Sequence, residues 1–327
     1  MTERLDGAVE ADLDRAAMLL RAGQLVAFPT ETVYGLGADG LDGAAAARIF
    51  EAKGRPADNP LILHVATFEA ALALWRPSAQ EAARARSLAD AFWPGPLTLV
   101  LPAVAGVPGV VRAGLDTVAV RMPDHPLALA LIERVDRPLA APSANRSGRP
   151  SPTTADHVLR TLDGRIAAVL DGGPTRVGVE STVADLRDGR VAILREGAIT
   201  RAMLEDVIGV LDAPAAGAGE AARAPGMRHR HYAPEGLVTR LADDAALAAA
   251  WASDAAILCR SATAARLGTR GAPTEVLPDD AERFARGLYA ALHRLERCGA
   301  QELLIEAAPA GQEWAAVRDR TVRAAAG

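Results

Sequence analysis

Apolar positions recur at helical spacing from Asp12 to Ala22, and Gly23 closes that helix before the apolar run Leu25 to Phe28, which predicts a buried strand. Asp42 is placed to cap a helix through Ala44 to Ala52, which carries Lys53 to its C-terminal end. After a turn at Pro56 to Pro60, Leu61 to Val65 predicts a strand, and Thr67 to Leu74 and Ser78 to Phe92 predict helices. The break Trp93-Pro94-Gly95-Pro96 precedes a strand at Leu97 to Leu101. Thr117 to Arg121 alternates as a strand, Pro126 to Val135 as a helix, and Leu139 to Ala141 is a short strand running into Pro142-Ser143-Ala144-Asn145. Thr153 or Thr154 caps a helix to Leu162. Strands at Ala167 to Leu170, Ser181 to Leu186 and Val191 to Leu194 then lead to a helix at Thr200 to Ile208. So many strands interleaved with helices predict one large, twisted, mixed α/β sheet.

The periodicity stops between Asp212 and Pro234, where Ala, Gly, Pro and Arg dominate, and this stretch reads as a linker. It carries Pro225-Gly226-Met227-Arg228-His229-Arg230-His231-Tyr232-Ala233-Pro234, side chains too specific for a plain spacer. Beyond it, strands at Val238 to Leu241, Ala255 to Cys259, Glu275 to Leu277 and Glu302 to Glu306 alternate with helices at Ala245 to Trp251, Ala281 to Arg297 and Glu313 to Ala325. That order predicts a small doubly wound, Rossmann-like α/β domain. The expected division is a first domain at 1–211, a linker at 212–236 and a second domain at 237–327.

Composition narrows the chemistry. Half of the 327 residues are hydrophobic and 24% are charged, the balance of a folded globular chain rather than a disordered one. A formal charge of −5 argues against a general nucleic-acid coat, so any anion site must be local. Cys259 and Cys298 are too few for a disulfide framework and lack the spacing of a zinc site, which fits a reducing, cytoplasmic compartment. The acidic N-terminal stretch has no apolar core of the kind a signal peptide needs, and no run of 18 apolar residues predicts a membrane span.

Lys53 is the only lysine among 36 cationic residues, so its replacement by arginine has been resisted at this one position. A compact ammonium that reaches between phosphate oxygens is the expected reason, because a planar guanidinium fork cannot substitute for a point charge. Asn59 and Asn145, the only asparagines, both lie in Pro/Gly-flanked polar segments. Arg121 ends an apolar strand and reads as a carboxylate clamp, whereas His64 at a strand end reads first as a structural histidine. His229 and His231 have no carboxylate or cysteine at ligand spacing, so no protein-held metal is expected there. Gly35-Leu36-Gly37-Ala38-Asp39-Gly40 matches GxGxxG, but six residues separate it from Phe28, and a turning loop is the better reading.

Taken together, Pro29-Thr30-Glu31-Thr32-Val33-Tyr34-Gly35-Leu36, Lys53-Gly54-Arg55-Pro56 with Asn59-Pro60-Leu61, Trp93-Pro94-Gly95-Pro96-Leu97-Thr98, Ala119-Val120-Arg121-Met122-Pro123, Ala141-Pro142-Ser143-Ala144-Asn145 and Glu180-Ser181-Thr182-Val183 resemble the YrdC family of threonylcarbamoyl-AMP synthases. The linker motif and small second domain resemble that family's long, two-domain form. The resemblance implies a YrdC-like first domain and an enzyme that makes L-threonylcarbamoyl-AMP and pyrophosphate from L-threonine, bicarbonate and ATP, with Mg²⁺ accompanying the nucleotide. It implies that Thr32, His64, Arg121, Ala141 and Ser181 line the threonine site, and that Arg55, Asn59, Thr117, Ser143, Ser151, Arg195 and Tyr232 hold ATP. Lys53, Arg55, Ser143 and Asn145 match the family's catalytic signature. Implied partners are a tRNA threonylcarbamoyl transferase complex downstream and a weak contact with tRNA, the modified adenosine lying beside the anticodon.

The residues themselves fit such roles. Arg121 can take a carboxylate in two parallel bonds, and Thr32, His64 and Ser181 offer small polar partners to a hydroxyl and an amine. Two other classes compete. A non-catalytic RNA-binding module is disfavoured by the negative charge and the few aromatics, and a carbamoyltransferase of the hydrogenase-maturation type by the absence of paired cysteines. A nicotinamide enzyme rests on the glycine run alone.

Overall fold

The computed structural model describes residues 1–212 and 232–326. Its larger sheet begins with β1 (Glu3–Asp6), β2 (Val26–Phe28), β3 (Gly35–Asp39), β4 (Ile62–His64) and β5 (Leu97–Pro102). It is completed by β6 (Thr117–Arg121), β7 (Leu139–Ala140), β8 (Ala168–Asp171), β9 (Thr182–Asp185) and β10 (Ala192–Arg195). The spatial order is β1-β8-β2-β3-β7-β4-β6-β5-β9-β10, with parallel and antiparallel neighbours mixed as the sequence predicts.

Strand alternation divides the core. Ala27 points into the face covered by Ile49, Leu88 and Leu162, while its neighbours Val26 and Phe28 join Leu13, Leu20 and Leu131 on the other. Because β4 and β6 run parallel with His64 opposite Arg121, both strands end at one edge and leave those two side chains together. The helix Gly43–Lys53 forms where expected: the Asp42 carboxylate accepts from the backbone N–H groups of Ala44 and Ala45, and Gly54, at φ 60°, turns the chain out of the last turn. Thr154 rather than Thr153 caps the helix Ala155–Leu162.

Two strands of the larger sheet depart from the sequence reading, and the helices Gly109–Arg112 and Ser261–Leu267 are additional to it. Glu3–Asp6 forms an edge strand beside β8, its single inward residue Leu5 being too little pattern to read. The glycine run is not a loop. It is β3, fully buried and antiparallel to β2, and its glycines serve packing: a Cβ on Gly37 would lie 2.9 Å from Phe28 and 3.1 Å from the Val26 carbonyl.

The smaller sheet is wholly parallel, with β11 (Val238–Ala242), β12 (Ala256–Arg260), β13 (Thr274–Leu277) and β14 (Glu302–Glu306) in the order β11-β14-β12-β13. Leu247, Ala264 and Leu267 cover one face, and the helices Ala281–Leu295 and Ala315–Ala325 cover the other. These two helices also meet the large-sheet unit, so that Val33 and Val179 share one apolar cluster with Phe284, Leu288 and Tyr289. Gly178 marks the closest approach. It has φ +82°, and a Cβ there would stand 2.5 Å from Cα of Arg286 and 2.6 Å from its carbonyl oxygen. Gly178→Ala is therefore expected to push the helix Ala281–Leu295 away and destabilise the chain by about 1–3 kcal/mol. A urea midpoint unchanged from that of the unsubstituted protein would show that the two units do not depend on this contact.

Candidate functional site

A small cleft with about 50 Å³ of free volume lies at the strand ends. At one end, Arg121 is buried and held from three sides. Its Nε donates to the Gly95 carbonyl at 3.2 Å, one terminal nitrogen donates to Thr32 Oγ1 at 2.9 Å, and the other forms an ion pair with Glu31 at 2.5 Å. A guanidinium carries five N–H donors, and the two hydrogen bonds leave three, more than the two a carboxylate takes in a bidentate pair. The Thr32 hydroxyl is itself fixed by Thr30 at 2.8 Å. Beside them, burial and the Arg121 charge hold the His64 imidazole down at about 3, so it is neutral. Its ring packs edge-on against Phe28, and its Nδ1 is buried without a hydrogen-bond partner.

At the other end, Arg195 donates to the Ser181 carbonyl and to its hydroxyl, each at 3.0 Å, and that hydroxyl also meets Thr98 at 2.8 Å. Arg55 is buried with donors on the Asn59 and Pro60 carbonyls, and burial brings its guanidinium down to about 10. Tyr232 and Arg195 are among its electrostatic neighbours. Tyr232 closes this end; burial and the Glu180 charge push its phenol up to about 12. Three guanidinium groups and one carboxylate, Glu180, thus line the cleft, which suits it to anions.

The floor is the segment after β7. Ala144 N–H donates to the Tyr34 carbonyl, Leu36 N–H to Pro142 and Ser147 N–H to Lys53, which stitches the segment to β3 and to the Gly43–Lys53 helix. Lys53 joins this segment. Its ammonium does not line the cleft; Nζ donates to the carbonyls of Ser143 at 2.6 Å and Asn145 at 2.5 Å. Burial and the neighbouring Arg55 hold it well below the usual lysine range.

The cleft brings together Thr32, Arg55, His64, Arg121, Ala141, Ser143, Ser181, Arg195 and Tyr232. Asn59, Thr117, Asn145 and Ser151 are not among its lining residues. The Asn59 carbonyl braces Arg55, the Asn145 amide donates to the Arg146 and Arg149 carbonyls, and the Ser151 hydroxyl donates to Glu180, while Thr117 is buried at the start of β6. Arg228, His229, Arg230 and His231 lie outside the described residues. Glu31 and Glu180 are the functional groups the sequence reading passes over, although both stand inside motifs quoted for their neighbours. A carboxylate at an anion site has no evident use until its partner is seen.

The family model Sua5_yciO_yrdC, described as Telomere recombination, matches residues 18–197, and Sua5_C, described as Threonylcarbamoyl-AMP synthase, C-terminal domain, matches residues 199–326. The chain belongs to the Sua5/YciO/YrdC family. Within it, the chain is 47% identical over 300 residues to the threonylcarbamoyl-AMP synthase of Pyrococcus abyssi, covering 89% of this chain and 87% of that one. It is 49% identical over 228 residues to the Bacillus subtilis protein of the same name, covering 69% and 65%. The crystal structure of P. abyssi Sua5 complexed with L-threonine superposes with a TM-score of 0.89 at 43% identity, over 99% of this chain and 97% of that one. Family, mixed α/β fold and two-sheet form therefore agree with the sequence reading.

Neutral, buried histidines make the family fold of this chain acid-sensitive. His64 and His293 both have imidazoles brought down to about 3, in each case chiefly by burial. Below the ordinary value of 6.5 the unfolded chain binds protons that the folded chain refuses, so stability falls as pH drops. Between about pH 6 and 4 the loss is expected to reach about 1.4 kcal/mol per pH unit for each imidazole. Urea midpoints measured across that window check it, and because His157 is brought down as well, to about 4, His293→Gln is expected to flatten the slope by about a third. An unchanged slope in that variant would assign the acid sensitivity elsewhere.

Proposed function

We propose that this chain is an L-threonylcarbamoyladenylate synthase, a nucleotidyltransferase that joins L-threonine, bicarbonate and ATP into threonylcarbamoyl-AMP and pyrophosphate. The observation that carries the reading is a single cleft with one polar end at Arg121, Thr32 and His64 and a second cationic end at Arg55, Arg195 and Tyr232. Support comes from the relatives named threonylcarbamoyl-AMP synthase and from the related structure that holds L-threonine.

In this reading Arg121 takes the threonine carboxylate with two of its remaining donors, and the hydroxyls of Thr32 and Ser181 orient the amino acid. Ala141 lies against it and leaves room that a larger side chain would fill. The amine attacks the bicarbonate carbon, water leaves, and the resulting carbamate oxygen attacks the α-phosphorus as pyrophosphate departs. Little acid–base machinery is needed, so positioning and charge stabilisation dominate. Arg55 and Arg195 receive the charge that builds on pyrophosphate, and Ser143 contacts the nucleotide; Asn59, Thr117, Asn145 and Ser151 serve by holding these groups in place. Among the described residues no group of three or more His, Cys, Asp or Glu is placed to hold a metal ion, so Mg²⁺ is assigned to the nucleotide substrate. No helix there is long and apolar enough to cross a membrane. The two unpaired cysteines fit a reducing cytoplasm, where the product would pass to a tRNA threonylcarbamoyl transferase complex.

The purified protein is expected to release pyrophosphate from ATP only when threonine and bicarbonate are both present; release indifferent to threonine would sink the reading. Arg121→Ala is expected to weaken threonine by about 2–5 kcal/mol and ATP far less, as judged by calorimetry. Equal losses for both ligands would mark Arg121 as structural. Lys53→Arg is expected to lower turnover at least about 100-fold, because a guanidinium in place of an ammonium displaces the Ser143 segment. Near-normal turnover in that variant would show that the segment tolerates the larger group.

A further inference from the structure

The helix Ala315–Ala325 reaches back across the molecule and places Arg320 against the rear of the cleft. Glu180, whose carboxylate lines the cleft beside Arg55 and Arg195, is its target. Arg320 Nε donates to Glu180 Oε2 at 2.8 Å, the Tyr289 hydroxyl donates to the same oxygen at 2.9 Å, and the Ser151 hydroxyl donates to Oε1. Arg320 also donates to the Glu196 carbonyl at 2.8 Å, next to Arg195, and its guanidinium carbon sits 5.6 Å from the centre of the Tyr232 ring. Burial alone would raise the Glu180 carboxyl, but Arg320 and Arg195 outweigh it and hold it ionised at about 2.

A buried carboxylate facing a polyphosphate site repels its ligand and draws Arg195 toward itself. We infer that Arg320 is a positioning residue for the nucleotide: its charge cancels that of Glu180 and so leaves Arg195 and Arg55 to act on the phosphates. The small-sheet unit thereby supplies part of the electrostatics of a cleft whose other cations lie in the large-sheet unit. This rests on the reading that Arg55, Arg195 and Tyr232 hold ATP.

Calorimetry with ATP and Mg²⁺, and separately with threonine, tests it on the full chain. Arg320→Met is expected to weaken ATP at least about tenfold and threonine by less than about threefold, because the uncompensated carboxylate lies at the nucleotide end. Removing that carboxylate as well, in Glu180→Gln with Arg320→Met, is expected to return ATP affinity to within about threefold of the unsubstituted chain, an effect that packing alone does not produce. Should Arg320→Met not fold, Arg320→Lys and Glu180→Gln carry the test: both are expected to keep ATP affinity within about threefold, since each leaves no unpaired negative charge in the cleft. A double variant that folds yet binds no better than Arg320→Met, or a tenfold loss in Glu180→Gln alone, overturns the inference. Failure of the underlying site reading is seen separately, as Arg195→Ala leaving ATP affinity intact.

Discussion

The Glu180 carboxylate is the point at which contacts from both sheet units meet beside the cleft. Removing an ion of this kind from water costs several kcal/mol, and the cost is offset only when charge and hydrogen-bond partners converge on it with good geometry. Here they converge from Ser151 and from two helices of the small-sheet unit, through Tyr289 and Arg320, the latter 140 residues away in sequence. The backbone that carries Glu180 leads directly into β9, so the same contacts fix Ser181, and Ser181 in turn holds Arg195 through both its carbonyl and its hydroxyl. A change in how the two units meet therefore reaches the cleft through one residue.

Every cation of the site is held by the protein before a ligand arrives. Arg121 is braced by Gly95, Thr32 and Glu31, Arg55 by two carbonyls, Arg195 by Ser181, and Lys53 by the carbonyls of Ser143 and Asn145. Long side chains carry a large rotamer entropy, and fixing them in advance removes that cost from the binding step. The contacts are mostly to backbone carbonyls, which bring partial rather than full negative charge. They orient a guanidinium without cancelling its attraction for an anion. The two full carboxylates, Glu31 and Glu180, are the exceptions, and each is matched by an arginine at contact distance.

Local pattern carried much of this fold into view. The Asp42 cap, the helix to Lys53, the separate strand ends at His64 and Arg121 and the alternating small domain follow from periodicity and capping, which act over a few residues. What did not follow depends on contacts between distant segments. The glycines of β3 look like loop glycines in one dimension, and only the ring of Phe28 lying across them explains their lack of side chains. Likewise Arg320 sits in a helix whose sequence, AAVRDRTVRAA, reads as a solvated charged face, yet its side chain is fully buried against Glu180. No spacing rule links positions so far apart.

The single lysine ties a sequence signal to the backbone of the site. Resistance to arginine at position 53 points to a need for a small ammonium, and in the structure its acceptors are the carbonyl oxygens of Ser143 and Asn145. Two carbonyls two residues apart in the same segment can converge on a point donor with three N–H groups; a planar fork at the end of a longer side chain would have to spread them. The segment they belong to has almost no regular secondary structure to keep its shape. It is held instead by Tyr34, Leu36 and Lys53 at separate points along its backbone, so Ser143 keeps its place in the cleft only while those points stay where they are. Lys53 is thus part of what sets the geometry of the floor.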